Sequence, residues 1–135
     1  MKLLNRLHHA EIIIPRGREA QAREFYCGFL GLVEIPKPAE VSSKGGLWLQ
    51  LGDNQIHLSI EDGYDPARTR VHLAYEVSDL SYLERVLKDH GFELSRSAPI
   101  AGFIRGTFRD PFGNRIELLQ PERQAEPSDA ACPPN

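Results

Sequence analysis

The 135-residue chain lacks a long apolar run, a cysteine framework and an excess of basic charge. No apolar stretch approaches the roughly 20 residues that a membrane-spanning helix requires, and residues 1–6 do not lead into a signal-peptide core. The 16 Lys and Arg are scattered and outnumbered by 19 Asp and Glu, which is unlike a nucleic-acid-binding surface. Only two cysteines are present, Cys27 and Cys132, so we expect no disulfide scaffold. These absences predict a cytoplasmic protein that binds neither nucleic acid nor membrane.

What the sequence does contain is a short phrase written twice. Residues 54–58 read Asn-Gln-Ile-His-Leu, and residues 114–118 read Asn-Arg-Ile-Glu-Leu, 60 positions later. A second similarity lies upstream of each copy, where His9 and His72 each begin a segment of alternating apolar residues. Self-similarity at a fixed offset indicates a duplicated supersecondary unit.

The pattern of apolar residues and turn residues gives both halves the order βαβββ. We expect an α+β fold of two βαβββ modules in tandem, forming a paired half-barrel within a single domain at residues 1–120. Module one covers about residues 7–60, the linker 61–70 and module two 71–120, and residues 121–135 are expected to be a disordered tail. The predicted strands are 7–14, 32–35, 46–51, 55–60, 71–77, 92–95, 102–109 and 115–120. The first predicted helix covers 18–30 and is ended by Gly31. The second covers 80–90, is capped by Asp79 and is ended by Gly91.

Alternation along a strand places residues i, i+2 and i+4 on one face. His9 therefore shares a face with Glu11, and His72 with Glu76. On the last strand of each module, Gln55 accompanies His57, and Arg115 accompanies Glu117. The same rule sends His8 to the face opposite His9, where a surface or packing role is expected. Polar residues on one face of each sheet predict a lined pocket.

With these features the chain resembles the vicinal oxygen chelate superfamily, which includes glyoxalases, bleomycin resistance proteins and extradiol dioxygenases. The resemblance covers residues 7–120. It rests on segments 7–10 (Leu-His-His-Ala), 25–26 (Phe-Tyr), 30–32 (Leu-Gly-Leu), 45–49 (Gly-Gly-Leu-Trp-Leu), 57–58 (His-Leu), on His72, and most specifically on 110–118 (Asp-Pro-Phe-Gly-Asn-Arg-Ile-Glu-Leu).

The resemblance implies one divalent metal ion, Zn, Ni, Mn or Fe, with His9, His57, His72 and Glu117 as ligands. It further implies a metal-dependent enzyme of the lyase or isomerase type, which chelates a small substrate through vicinal oxygens and promotes proton transfer. Glu117 and Glu11 are the candidate catalytic residues. The candidate substrate-binding residues are Trp48, Gln50, Glu76, Arg105 and Arg115.

Alternatives remain open at this stage. Glyoxalase I enzymes carry a carboxylate at the position of His57, and an extradiol-type dioxygenase would use only His9, His72 and Glu117. A protein of the bleomycin-resistance type would bind a drug or metabolite without chemistry. We expect a homodimer, and the modules could pair within a chain or be exchanged between two copies. The substrate is not encoded in any motif.

Overall fold

The computed structural model describes residues 1–123, and the βαβββ order predicted for both halves is confirmed. The first half contains β1 (His9–Ile14), α1 (Glu19–Arg23) continued by a π-helical segment (Glu24–Phe29), β2 (Val33–Ile35), β3 (Leu47–Leu51) and β4 (Asn54–Ile60). The second half contains β5 (His72–Glu76), α2 (Leu80–Asp89), β6 (Ser95–Ile100), β7 (Phe103–Arg109) and β8 (Arg115–Pro121).

The strands form two four-stranded sheets of the same topology, ordered β1-β4-β3-β2 and β5-β8-β7-β6. The chain divides into two compact units. Unit 1 comprises Met1–Val71 together with Arg109–Arg115, and unit 2 comprises His72–Phe108 together with the described residues 116–123. The predicted order therefore repeats, but the hairpin turn of the second half belongs to unit 1.

The sheet of unit 1 separates a polar face from an apolar one. Strand β1 runs parallel to β4, with Glu11 opposite His57, and β3 runs antiparallel to β4, with Trp48 opposite His57. On the other face, β4 contributes Ile56 and Leu58, both at most 5% exposed. Their burial, worth roughly 1.5–3 kcal/mol for a fully buried aliphatic side chain, fixes the register, because a one-residue slip would exchange the two faces.

The predicted first helix forms, but it changes character half-way. After α1, backbone bonds of the π type appear, such as Leu30 N to Phe25 O at 2.9 Å. The wider turn lets the adjacent residues Phe25 and Tyr26 both be buried. The expected stop is confirmed, since Gly31 adopts a φ of +85°.

In unit 2, α2 follows the sequence signals closely. The Asp79 carboxylate caps it by accepting from Tyr82 N at 2.9 Å, and Leu80 and Leu87 are fully buried. The helix ends before Gly91, whose φ is +84°, with Phe92 N bonded to Leu87 O.

The turn between β7 and β8 is organised by one buried carboxylate. Asp110 is 4% exposed and accepts hydrogen bonds from Phe112 N, Asn114 N and Asn114 Nδ2 at 2.8–2.9 Å. It also accepts from the Tyr26 hydroxyl at 2.5 Å. Asn114 Nδ2 donates in addition to Ile13 O at 2.8 Å. These bonds attach the turn to the π-helical segment that follows α1 and to strand β1, all within unit 1.

One predicted strand is wrong. Residues 92–95 were expected to form the second strand of module two, whereas β6 covers Ser95–Ile100. Its Ser, Arg and Pro residues are poor strand formers, and it lies at the edge of the sheet, where Pro99 costs no ladder bond. The predicted tail begins at residue 121, which is still part of β8, and Cys132 with the rest of residues 124–135 lies outside the described part of the chain.

Candidate functional site

In unit 1 the predicted ligand His57 lies inside an aromatic stack. Its ring is parallel to that of Trp48 on one side and nearly parallel to that of His9 on the other, each at a centroid distance of 4.0 Å. His57 is only 5% exposed, whereas His9 is exposed. The pairing of β1, β3 and β4 produces this stack, because all three residues point to the polar face.

The hydrogen bonding of His57 defines its state. Its Nε2 lies 2.9 Å from Gln55 Oε1, and because an amide oxygen only accepts, Nε2 carries the proton. Burial lowers the pKa of His57, and the nearby imidazoles of His9 and His8 and the ammonium of Lys37 lower it further, against the opposing effect of Glu11. The lowered pKa favours the neutral form of the imidazole.

Two further contacts complete this polar face. The Ser59 hydroxyl donates to Glu11 Oε1 at 2.6 Å, which holds the candidate base against β4. His8 Nδ1 lies 2.9 Å from His9 Nδ1. The expectation that His8 faces away from His9 is wrong, because β1 begins at His9 and strand alternation does not extend to His8.

These residues line a cleft of about 460 Å³ in unit 1. Its polar floor includes Glu11, His57 and Ser59, and Trp48 and Val41 add apolar surface. The loop between β2 and β3 contributes Lys37, Lys44 and Gly45. Sequence reasoning identified the floor and missed the loop, since single lysines in a Pro- and Ser-rich segment carry no distinctive signal.

In unit 2 the predicted ligands His72 and Glu117 contact each other. His72 Nε2 lies 2.9 Å from Glu117 Oε2, and Arg105 Nη1 donates to Glu117 Oε1 at 3.1 Å. The carboxylate is nearly buried, with its side chain 11% exposed. Arg105 is itself anchored by a bond from Nε to Ala98 O at 2.9 Å. It was predicted to contact substrate, and here it fixes one oxygen of Glu117.

The spacing of this pair suits a metal ion. His72 Nε2 and Glu117 Oε2 are at hydrogen-bonding distance, 2.9 Å. Neighbouring ligands of an octahedral ion with bonds of about 2.0–2.2 Å have a similar separation, about 3 Å. Imidazole and carboxylate are also donors that Zn, Mn, Fe and Ni accept. Within residues 1–123, however, no three His, Cys, Asp or Glu side chains are grouped so as to hold a metal. The predicted donors lie in two pairs, His9 with His57 in unit 1 and His72 with Glu117 in unit 2.

The other predicted substrate-binding residues remain predictions. Gln50 Nε2 donates to Gly52 O at 2.6 Å and so braces its own hairpin turn. Glu76 is exposed at the end of β5, and Arg115 is half-buried at the start of β8. Neither the contacts of these three nor their burial assigns them a ligand.

The family comparison decides the affiliation of the chain. Residues 6–118 match the model of the Glyoxalase/Bleomycin resistance protein/Dioxygenase superfamily. The chain belongs to this superfamily. The resemblance seen in the sequence is thereby confirmed, and so is the fold of paired βαβββ modules.

Solved structures agree with this assignment. A protein from Bacillus anthracis assigned to the glyoxalase family is 34% identical, with a TM-score of 0.82 over 90% of this chain and 99% of its own. A glyoxalase family protein from Enterococcus faecalis is 22% identical, with a TM-score of 0.68 over 87% and 99%. TnmS3, an antibiotic binding protein from Streptomyces sp. CB03234, is 19% identical, with a TM-score of 0.66 over 90% and 100%.

The last two likenesses show the fold alone. No functionally curated protein matches the chain significantly. Among residues 1–123, no helix combines the length and the apolar character needed to cross a membrane.

Proposed function

We propose that this superfamily member is a metal-dependent enzyme of the lyase or isomerase type, acting on a small substrate with neighbouring oxygens. The observation that carries the proposal is the His72–Glu117 pair, whose 2.9 Å separation fits adjacent ligand positions of a divalent ion. His9 and His57 are the further donors that superfamily membership supports. The metal, when bound, would supply Lewis acidity toward a substrate oxygen.

The side chains around these donors have defined tasks under this proposal. Gln55 holds the orientation of the His57 ring, and Arg105 holds Oε1 of Glu117 while Oε2 faces His72. Such outer contacts orient ligands and tune their basicity. Glu11, held by Ser59 and exposed on the same face as His57, is the candidate residue for moving a proton.

Metal analysis tests the proposal directly. Protein purified without chelators, then dialysed against Ni²⁺, Mn²⁺, Zn²⁺ or Fe²⁺, is expected to retain one ion per chain and to melt at a higher temperature, because binding to the folded state stabilises it. His72→Ala and Glu117→Ala should abolish retention. His90→Ala removes a histidine at the end of α2 and is the matched control. Absence of both retention and stabilisation with all four ions would refute the proposal.

One variant distinguishes a three-ligand dioxygenase from the proposed lyase or isomerase. A dioxygenase that uses only His9, His72 and Glu117 would keep Fe²⁺ in His57→Ala. A four-ligand enzyme would lose affinity in that variant. The iron content of His57→Ala beside the wild type therefore distinguishes the four-ligand pattern from the three-ligand pattern.

A non-catalytic binding protein is the second candidate, and the cleft of about 460 Å³ in unit 1 favours it. Clefts of this size with an aromatic wall accommodate small organic molecules. TnmS3, which has the same fold, is an antibiotic binding protein. If His57→Ala and Glu117→Ala lose metal but leave the binding of a small ligand intact, sequestration replaces catalysis. Homodimer formation and a cytoplasmic location stay predictions alongside either function.

A further inference from the structure

The loop between β2 and β3 brings two ammonium groups to the cleft of unit 1. Lys37 and Lys44 both line the cleft together with Trp48 and His57. Lys37 is half-buried and donates to the Gly45 carbonyl, so that it joins the two ends of the loop. Lys44 ends a short helical turn at Ser42–Lys44 and is exposed. One lysine is thus anchored and the other is at the rim.

The position of this loop is set by the backbone. Gly46 has a φ of +83°, and a Cβ built there would overlap the Leu58 carbonyl oxygen. Its N–H donates to Glu19 Oε1 at 3.3 Å. Only glycine permits this close approach to β4, and the approach brings Lys44, two residues earlier, to the edge of the cleft.

The charges around the cleft do not cancel. Its one lining carboxylate, Glu11, already accepts a hydrogen bond from Ser59, whereas two lysines line the same cleft. Val41 and Ile60 provide apolar surface beside these charges. A ligand that matches this lining has an apolar body and an anionic end.

We propose that Lys44, with Lys37 behind it, selects a carboxylate group on the small molecule that enters the unit 1 cleft, so that the ligand class is an apolar-bodied organic carboxylate. The inference rests on the proposed function in one respect, that this cleft admits the molecule on which the protein acts. Charge-assisted hydrogen bonds from ammonium to carboxylate give the selectivity, and the apolar wall gives the remaining contact.

The only tryptophan of the chain reports on this cleft, because Trp48 lines it. Benzoate and its uncharged isostere benzamide serve as probes, each titrated while Trp48 fluorescence is excited selectively. Benzoate should bind at least about tenfold more tightly than benzamide, as expected for a hydrogen bond to a charged group, and added salt should reduce the difference. Equal affinity for the two probes would overturn the proposal.

Lysine variants locate the selectivity. Lys44→Gln should weaken benzoate about fivefold and leave benzamide unchanged, and Lys44→Glu should abolish the preference. Lys88→Gln, an exposed lysine on α2 of unit 2, is the control and should bind like the wild type. Since Lys44 is exposed, neither substitution should alter the melting temperature, which excludes misfolding. An unchanged preference in both Lys44 variants contradicts the proposal.

The titrations are run on chelator-treated protein and on Ni²⁺-loaded protein. A preference for benzoate without any metal binding would leave this inference standing and refute the metal-dependent function. Metal binding without a preference for benzoate in either form would refute this inference and leave the metal-dependent function standing. The two proposals therefore fail separately.

Discussion

The two copies of the repeated phrase share a backbone pattern and differ in what surrounds them. In β4, His57 is stacked between two aromatic rings and bonded to Gln55. In β8, Glu117 is held between His72 and Arg105. The isoleucine and leucine of each copy are buried in both places. The packing residues are the same in both copies, whereas the position proposed to bind metal has different partners in each unit.

The turns before the two copies differ as well. In the first, Gly52-Asp53 forms a short exposed turn between β3 and β4. In the second, Asp110 is buried and accepts four hydrogen bonds. The longer turn has therefore become part of the core of unit 1, while the shorter one only connects two strands.

The largest effect is expected at this turn. Asp110→Ala leaves the Tyr26 hydroxyl and several N–H donors without their buried acceptor, and should lower the free energy of unfolding by about 4 kcal/mol. Asp53→Ala, in the exposed turn of the first half, should change it by less than about 0.5 kcal/mol. Urea denaturation of both variants measures the difference. Similar losses would show that the two turns are equivalent.

The next effect compares two glycines that are 60 residues apart. A Cβ at Gly46 meets the backbone oxygen of Leu58 at a positive φ, whereas a Cβ at Gly106 meets only the side chain of Leu94. Gly46→Ala should therefore cost about 3 kcal/mol of unfolding free energy. Gly106→Ala should cost about 1 kcal/mol, because a side chain can move aside. Thermal denaturation would contradict this account if Gly106→Ala were the more damaging change.

A smaller effect separates the two asparagines that open the repeated phrase. Asn114 donates from Nδ2 to Ile13 O and Asp110 Oδ2, whereas Asn54 is exposed. Asn114→Ala should lower the free energy of unfolding by about 1.5 kcal/mol, and Asn54→Ala by less than about 0.5 kcal/mol. Equal changes in the urea midpoints would mean that the bonds to Asn114 add nothing.

The smallest effect is expected at the arginine that holds Glu117. Arg105→Gln leaves a nearly buried carboxylate with one charged partner fewer, and should cost about 1 kcal/mol. Arg96→Gln removes a more exposed pair with Glu84, for which a loss below about 0.5 kcal/mol is expected. Calorimetric melting of both variants provides the comparison. Equal shifts in melting temperature would mean that the nearly buried pair of Arg105 with Glu117 contributes no more than the exposed pair of Arg96 with Glu84.

Much of the fold was readable from the sequence because its signals are local. Gly31 and Gly91 end their helices, Asp79 caps α2, and alternation places Glu11, His57 and Trp48 on one face. Strand β6 was misplaced, since an edge strand that contains Pro99 has no apolar periodicity. The π-helical segment was missed because it is associated with the burial of two adjacent aromatic residues, Phe25 and Tyr26, which helical periodicity does not predict.

The candidate site was predictable in its residue types but not in its partners. The proposed ligand set follows from superfamily resemblance, whereas the Gln55–His57 and Arg105–Glu117 bonds depend on strand register and side-chain conformation. Lys37 and Lys44 reach the cleft through a loop whose course is set by Gly46, and no local sequence motif predicts that course.

The central claim is that the position at which the two copies differ, His57 and Glu117, provides metal donors of two kinds. X-ray absorption spectroscopy of the Ni²⁺-loaded protein tests it most directly, because imidazole rings give a distinctive outer-shell scattering. Imidazole scattering is expected in the wild type and should decrease in His57→Ala, whereas Glu117→Ala should lose the bound Ni²⁺. A spectrum without imidazole, or one that neither substitution alters, would contradict it.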